Sequence, residues 1–340
     1  MAARIRGSNL APMTAQLQVP VVRLGKCGPT VSRIGLGLAA LGRPAYITGG
    51  RASDLPDRSV SAMRARTRAM LGAAYDAGIR YADAARSYGL AEEFLAGWLA
   101  DRGQPDMTVG SKWGYRYTGG WRLDAPRQEV KDHSLAAFES QLAQTRASLG
   151  SRLALYQVHS LTEDSDVLGD TTLLAAMARL RSDGVMIGLT TSGPLQATTL
   201  RRALDTTIDG EPLFCAAEVT WNLLEPSVEP AAAEAAAAGW AIIIKEAVAN
   251  GRLAPGGDKA GPASRLARLA AARGLTQDAI ALAAALAKPW AAVVLSGAVT
   301  RAQLAANLAA LTITEFTDQD LDMAEPAGAY WSARSQRPWS

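Results

Sequence analysis

Ile34-Gly35-Leu36-Gly37-Leu38-Ala39-Ala40 is the first of eight short apolar runs, and its reading decides between the two folds that alternate strands with helices. In an open doubly wound sheet, the first strand turns through a Gly-rich phosphate loop directly into a helix. Here Ala40 takes the place of the last glycine, and the polar stretch 41–58 separates the run from the next helical pattern. The remaining runs are 79–82, 107–109, 153–158, 185–189, 213–219, 240–244 and 291–295. Each is apolar nearly throughout, as in strands covered on both faces. Amphipathic segments follow them at 61–77, 91–99, 134–149, 172–181, 195–204, 228–238, 277–287 and 301–311. Helix-stop glycines close several of these segments: Gly78, Gly103, Gly150, Gly184 and Gly239. Eight strands alternating with eight helices predict an α/β fold of the (β/α)8 TIM-barrel type. Two shorter apolar runs, 21–24 and 31–34, flank Gly25-Lys26-Cys27-Gly28-Pro29 and read as a β-hairpin ahead of the barrel. Residues 1–20 read as a loose segment, and 21–340 as one domain.

Composition narrows the function. The chain has 340 residues, 49% hydrophobic and 20% charged, with a formal net charge of +3 and no long charge runs. That balance speaks against nucleic acid or an anionic membrane as a partner. Its apolar stretches fall short of the roughly 20 residues of a membrane span. Two cysteines, Cys27 and Cys215, have no metal-ligand spacing and point to a reduced, cytoplasmic setting. No metal site is expected, and the oligomeric state stays open.

Polar residues at the ends of apolar strands carry the chemistry. Strand two runs into Asp83 and, five residues on, Tyr88; strand three ends Ser111-Lys112; strand four ends at His159. In a barrel these ends share one rim, so the four side chains converge. Taken singly, they read as a helix cap, a core tyrosine, a solvated lysine and a structural histidine. Together they suit proton donation to a carbonyl: an ammonium favours the phenolate of a nearby tyrosine, and a carboxylate holds the ammonium. The loop 113–132 carries Trp113, Tyr115, Tyr117 and Trp121, which either pack that loop onto the barrel or wall a substrate pocket.

These motifs resemble those of the aldo-keto reductases, and the resemblance runs from about Val21 to the end of the chain. It rests on Asp83…Tyr88-Gly89-Leu90-Ala91-Glu92, on Ser111-Lys112 and on His159. It implies Tyr88 as general acid/base, Lys112 as modulator of its pKa, Asp83 as partner of Lys112, and His159 as the group that orients the carbonyl. It further implies NADP or NAD as cofactor and a small carbonyl or alcohol substrate, with Trp113, Tyr115 and Trp121 beside it. Toward the nicotinamide, Thr190-Thr191 stands where the family has Ser-Asn, Glu218 where it has Gln, and Trp221 where it has a stacking Tyr. Lys245, Gly251 and Leu253 resemble the loop around the pyrophosphate. In Ser296-Gly297-Ala298-Val299-Thr300-Arg301-Ala302-Gln303, continuing to Asn307, the family's Gly, Ala, Gln and Asn recur. Val299 replaces the arginine that meets a 2′-phosphate, and Arg301 lies two residues on. The implied activity is interconversion of an aldehyde, ketone or sugar carbonyl with its alcohol. The alternative is a cofactor-binding regulatory barrel of low turnover, which the replaced cofactor residues would suit. The tail, 326–340, either packs on the outer helices or folds over the barrel mouth.

Overall fold

The computed structural model describes residues 18–48, 51–103, 106–313 and 315–340. Most of the segment expected to be loose, residues 1–17, lies outside them; Val19, at its end, is buried. Eight parallel strands close a barrel: β1 (Ile34–Gly37), β2 (Tyr81–Asp83), β3 (Thr108–Trp113), β4 (Leu153–Leu161), β5 (Met186–Thr191), β6 (Ala216–Thr220), β7 (Ala241–Lys245) and β8 (Val293–Ser296). Each strand pairs with its neighbour in sequence, and β8 returns to β1 through Val294 opposite Ile34. The helices between them are α1 (Val60–Asp76), α2 (Ala91–Arg102), α3 (Leu135–Leu149), α4 (Thr171–Ser182), α5 (Gln196–Leu204), α6 (Glu229–Ala237), α7 (Gln277–Leu286) and α8 (Arg301–Leu308). Their starts follow from local chemistry. Ser59, Ser134 and Asp170 cap α1, α3 and α4 by accepting backbone N–H groups of the first turn. The five expected stop glycines all adopt positive φ.

Period-two alternation along the strands sorts side chains between two cores. Inward-facing Tyr81, Leu155, Met186, Ala216, Ile243, Val293 and Leu295 form a small cluster with Leu24 and Val31. Those last two come from the N-terminal hairpin (Val21–Arg23 with Thr30–Ser32), which closes the lower end of the barrel. Outward-facing Ala82, Tyr156, Ile187, Ala217, Ile242 and Val294 join the larger cluster under the helices. Tyr81 fits inside because Gly35 and Gly110 flank it. A Cβ at Gly35 would sit 2.8 Å from its ring, and one at Gly110 would collide with its hydroxyl.

Several elements go beyond the expected alternation. The loop 113–132 folds into a hairpin of Tyr115–Tyr117 and Glu129–Lys131, with aromatics spaced by two. An added helix, Pro262–Ala272, follows β7, and a C-terminal helix, Ala327–Ser335, precedes the last residues. Among the described residues, no helix is long and apolar enough to cross a membrane.

Candidate active site

The same alternation points Asp83, Lys112, Gln157, His159, Thr190 and Glu218 into the upper barrel, each in phase with an inner-cluster residue of its strand or its neighbour. Lys112 is fully buried. Its ammonium is ion-paired with Asp83, donates to the Ala84 carbonyl at 3.2 Å, and lies 3.2 Å from Glu218 Oε2. Burial alone would lower the pKa of that ammonium, but the two carboxylates overcome it and hold the value well above the ordinary one. Asp83 is pushed up to about 8, first by burial and then by Glu218. Its Oδ1 has no hydrogen-bond partner, and neither does Gln157 Oε1, whose amide donates to Glu218 at 3.4 Å.

Tyr88 stands over this cluster. It follows β2 in the turn after Ala85, whose carbonyl accepts its backbone N–H at 3.0 Å. The Lys112 ammonium is 5.1 Å from its ring centroid, and the His159 ring meets it edge-on at 5.5 Å. Burial drives the phenol well above its ordinary pKa, and the Lys112 charge works in the opposite direction. Burial, then Lys112 and Arg43, push His159 well below its ordinary value, so its imidazole is neutral. Its Nδ1 lies 3.4 Å from Ser87 Oγ. The second histidine, His133, approaches the His159 carbonyl at 2.8 Å and stands behind the site.

Of the aromatic loop, Tyr115 packs against His159 at 5.1 Å. Trp113 is buried against Phe138 and His133, and Trp121 packs on Phe94 while its indole donates to the Arg58 carbonyl. Four residues near Tyr88 or its neighbour Arg43 escape a reading of the sequence: Arg43 itself, Tyr46, Ser87 and Trp339. The Arg43 guanidinium is buried, 5.0 Å from the Tyr88 ring, 5.1 Å from Tyr46 and 4.7 Å from Trp339. It donates to the Ser87 carbonyl and pairs with Glu129 at 2.7 Å. The sole signal for it is that residues 41–58 follow a barrel strand, where sites are built.

The tail reaches the same place. Glu246, at positive φ, pairs with Arg334 of the C-terminal helix, and Asn222 donates to Tyr330 Oη at 2.9 Å. Ser340 then exchanges backbone hydrogen bonds with Tyr46. The tail therefore lies over the barrel.

The residues matched to cofactor binding are more scattered. Thr190 accepts the Ser160 N–H at 2.7 Å, whereas Thr191 faces outward and donates to Gln196. Trp221 is buried between Trp290, Lys288 and Glu229, to which its indole donates. Lys245, half-buried at the end of β7, donates to Thr220 Oγ1 at 2.5 Å. Gly251 ends a short turn, Leu253 is fully buried, and Arg252 pairs with Asp258 and Glu325. Thr300 and Gln303 form a capping box at α8, and Gln303 also donates to Asp54 at 2.8 Å. Asn307 bridges Ser296 and Asp278. Gly297 is exposed with open space around its Cα, Val299 is buried, and Arg301 is exposed on the first turn of α8.

The comparisons with known proteins agree with the barrel fold. Two solved structures from Pseudomonas aeruginosa, each assigned as an aldo-keto reductase, are 25% and 26% identical to the chain. Both superpose with a TM-score of 0.61, covering 87% of this chain and 96% of their own. No curated protein matches in sequence. The model of the aldo/keto reductase family matches residues 33–327, a span that contains every barrel strand, and the chain belongs to that family.

Proposed function

We propose that this protein is an NAD(P)-dependent oxidoreductase that interconverts an aldehyde, ketone or sugar carbonyl and its alcohol, with Tyr88 as the proton donor and acceptor. The family generally carries out NAD(P)-dependent carbonyl reduction. The observation that carries the reading is the buried phenol of Tyr88 with an ammonium on one side and a neutral imidazole at its edge. A phenol with so high a pKa stays protonated near neutrality and is an available general acid. Lys112, held by Asp83, stabilises the phenolate left after the proton departs. His159, being neutral, supplies a hydrogen bond to the carbonyl oxygen without competing for that proton.

The residues present fit a nicotinamide nucleotide. Gln157 has a buried carbonyl oxygen with no partner, suited to a carboxamide N–H, and Lys245 and the open backbone at Gly297 suit phosphate. Thr190, Thr191, Glu218, Trp221, Gly251, Leu253, Thr300, Arg301, Gln303 and Asn307 are the further candidates by family match. When bound, the nucleotide supplies the hydride. With Val299 buried and Arg301 on the helix surface, discrimination between NADP and NAD is expected to be weak. Tyr115, beside His159, is the best placed of the aromatic residues to meet substrate. Following the nicotinamide absorbance with a panel of aldehydes and sugars tests the proposal. Turnover that Tyr88→Phe abolishes supports it; a panel without turnover overturns it.

A further inference from the structure

Glu92, the second residue of α2, is a carboxylate in an apolar place. The buried face of that helix is otherwise built from Ala91, Phe94, Leu95, Trp98 and Leu99, and Glu92 lies in line with Leu95 and Leu99 at helical spacing. Its side chain is fully buried. A charge in such a position is costly unless it is both paired and hydrogen-bonded, and Glu92 is both. Its Oε1 accepts Ser111 Oγ at 2.6 Å and Thr145 Oγ1 at 2.9 Å, and its Oε2 is ion-paired with the Arg86 guanidinium. Arg86 also lies 3.6 Å from Glu93, and Tyr156 of β4 faces the pair.

These contacts frame Tyr88. Arg86 and Glu92 are the two ends of the segment 86–92, which carries the phenol between them. Upstream, the Arg86 N–H donates to the Lys112 carbonyl at 3.0 Å; downstream, the Ala91 N–H donates to the Tyr88 carbonyl at 3.1 Å and hangs Tyr88 from the start of α2. The Arg86–Glu92 ion pair closes the segment on itself. Ser111 then ties it to β3, where strand alternation turns Ser111 outward to Glu92 and Lys112 inward to Tyr88. One carboxylate thus joins the segment bearing the phenol to the strand bearing the ammonium.

We propose that Glu92 is a positioning residue that sets the separation of Tyr88 from Lys112, which is 5.1 Å from ammonium to ring centroid. It acts through Arg86 and Ser111. The attraction of an ammonium for a phenolate falls with distance, so a looser frame weakens the support that Lys112 gives to Tyr88. Thr145, on α3, holds the same carboxylate but belongs to neither the segment nor β3. The frame stands on the geometry alone; its consequence for turnover rests on the oxidoreductase reading above.

The test compares three variants. Glu92→Gln keeps the shape and loses the ion pair with Arg86; Ser111→Ala unties β3; Thr145→Val removes a hydrogen bond of the same kind on the α3 side. The first readout needs no turnover: tyrosines isotopically labelled at Cζ give an NMR signal for Tyr88, assigned by its loss in Tyr88→Phe. Glu92→Gln and Ser111→Ala should move that signal, whereas Thr145→Val should leave it in place while also lowering the melting temperature. The second readout is the pH profile of alcohol oxidation. Its apparent pKa should rise by about one unit in Glu92→Gln and Ser111→Ala, with kcat lower by about tenfold or more and KM for the nucleotide unchanged. Thr145→Val should keep the parent profile. The groups facing Tyr88 (Lys112, Asp83, Glu218, Tyr46, Arg43 and His159) are retained in all three variants, so a shift reports their placement. A merely structural carboxylate would lower the melting temperature in all three and leave the Tyr88 signal fixed, which overturns the proposal. A signal that moves as far in Thr145→Val as in the other two overturns it as well. Should Glu92→Gln fail to fold, Ser111→Ala against Thr145→Val decides by the same outcomes. Absence of any turnover in the wild type would refute the oxidoreductase reading and leave the NMR comparison to decide the role of Glu92.

Discussion

The β2–β4 side of the barrel and the β7–β8 side were both matched to the family by residue type, yet they are built differently. On the first side, Asp83, Lys112, His159 and Tyr88 meet one another, and the fold leaves their polar atoms few other partners. On the second, Thr300 and Gln303 satisfy each other as a helix cap, and Asn307 ties Ser296 to Asp278. The lesson is that an identical residue can be retained for helix and loop architecture as readily as for a ligand. A cluster of charges at the barrel centre has no such second use, since burying them costs too much to be incidental.

The largest effect that can break this comparison is expected at Lys112. Lys112→Met leaves Asp83 and Glu218 buried without their cation, which should destabilise the fold by about 3–5 kcal/mol as well as abolish turnover. Denaturant unfolding measures it, and a variant as stable as the parent would make the central cluster no different from the caps. Next comes Tyr88→Phe, which removes only the hydroxyl. The rate should drop about 10²–10⁴-fold with nucleotide affinity near normal, and a variant keeping half the parent rate would sink the assigned role.

On the other side of the barrel the effects should be structural and smaller. Asn307→Ala strands the buried Asp278 carboxylate and Ser296 hydroxyl, at a cost of about 1–3 kcal/mol. Its nucleotide affinity, read by titration, should change little; a tenfold loss of affinity with stability intact would instead place Asn307 in the binding site. Removing the cap by Thr300→Ala should cost about 1 kcal/mol in the same unfolding assay. Val299→Arg sharpens the contrast from the opposite direction. An arginine fork offers two parallel bonds to a 2′-phosphate, so the ratio of kcat/KM for NADPH over NADH should rise about tenfold. An unchanged ratio would mean that Arg301 or another group already holds that phosphate.

Glu246 adds a pH test of the tail. Burial works to raise its pKa, but Arg334 and Lys245 outweigh burial and hold it at about 2, below the ordinary 4.5. The stability from this pair is therefore complete above about pH 4.5 and is lost as pH falls toward 2. Glu246→Gln should remove that acid dependence, seen as a smaller slope of stability against pH in this range.

Much of this was legible in the chain before any coordinates. Eight apolar runs separated by amphipathic segments determined a barrel, because strands buried on both faces must be apolar and each run must return to the same sheet. Strand-end position likewise led to the expectation that Asp83, Lys112 and His159 share a rim, with Tyr88 five residues past Asp83. These are local facts, written along one strand at a time. The tertiary structure alone decided that Glu218 meets Lys112, since β6 and β3 are not neighbours and their side chains come together only across the barrel interior. It decided that Thr191 turns outward while Thr190 turns in, since register rather than residue type selects the face. It also decided that Arg43 lies between Tyr88 and Trp339, bringing together residues 43 and 339, nearly the whole chain apart. No periodicity encodes such contacts: they depend on the stagger of a closed barrel and on where its tail comes to rest.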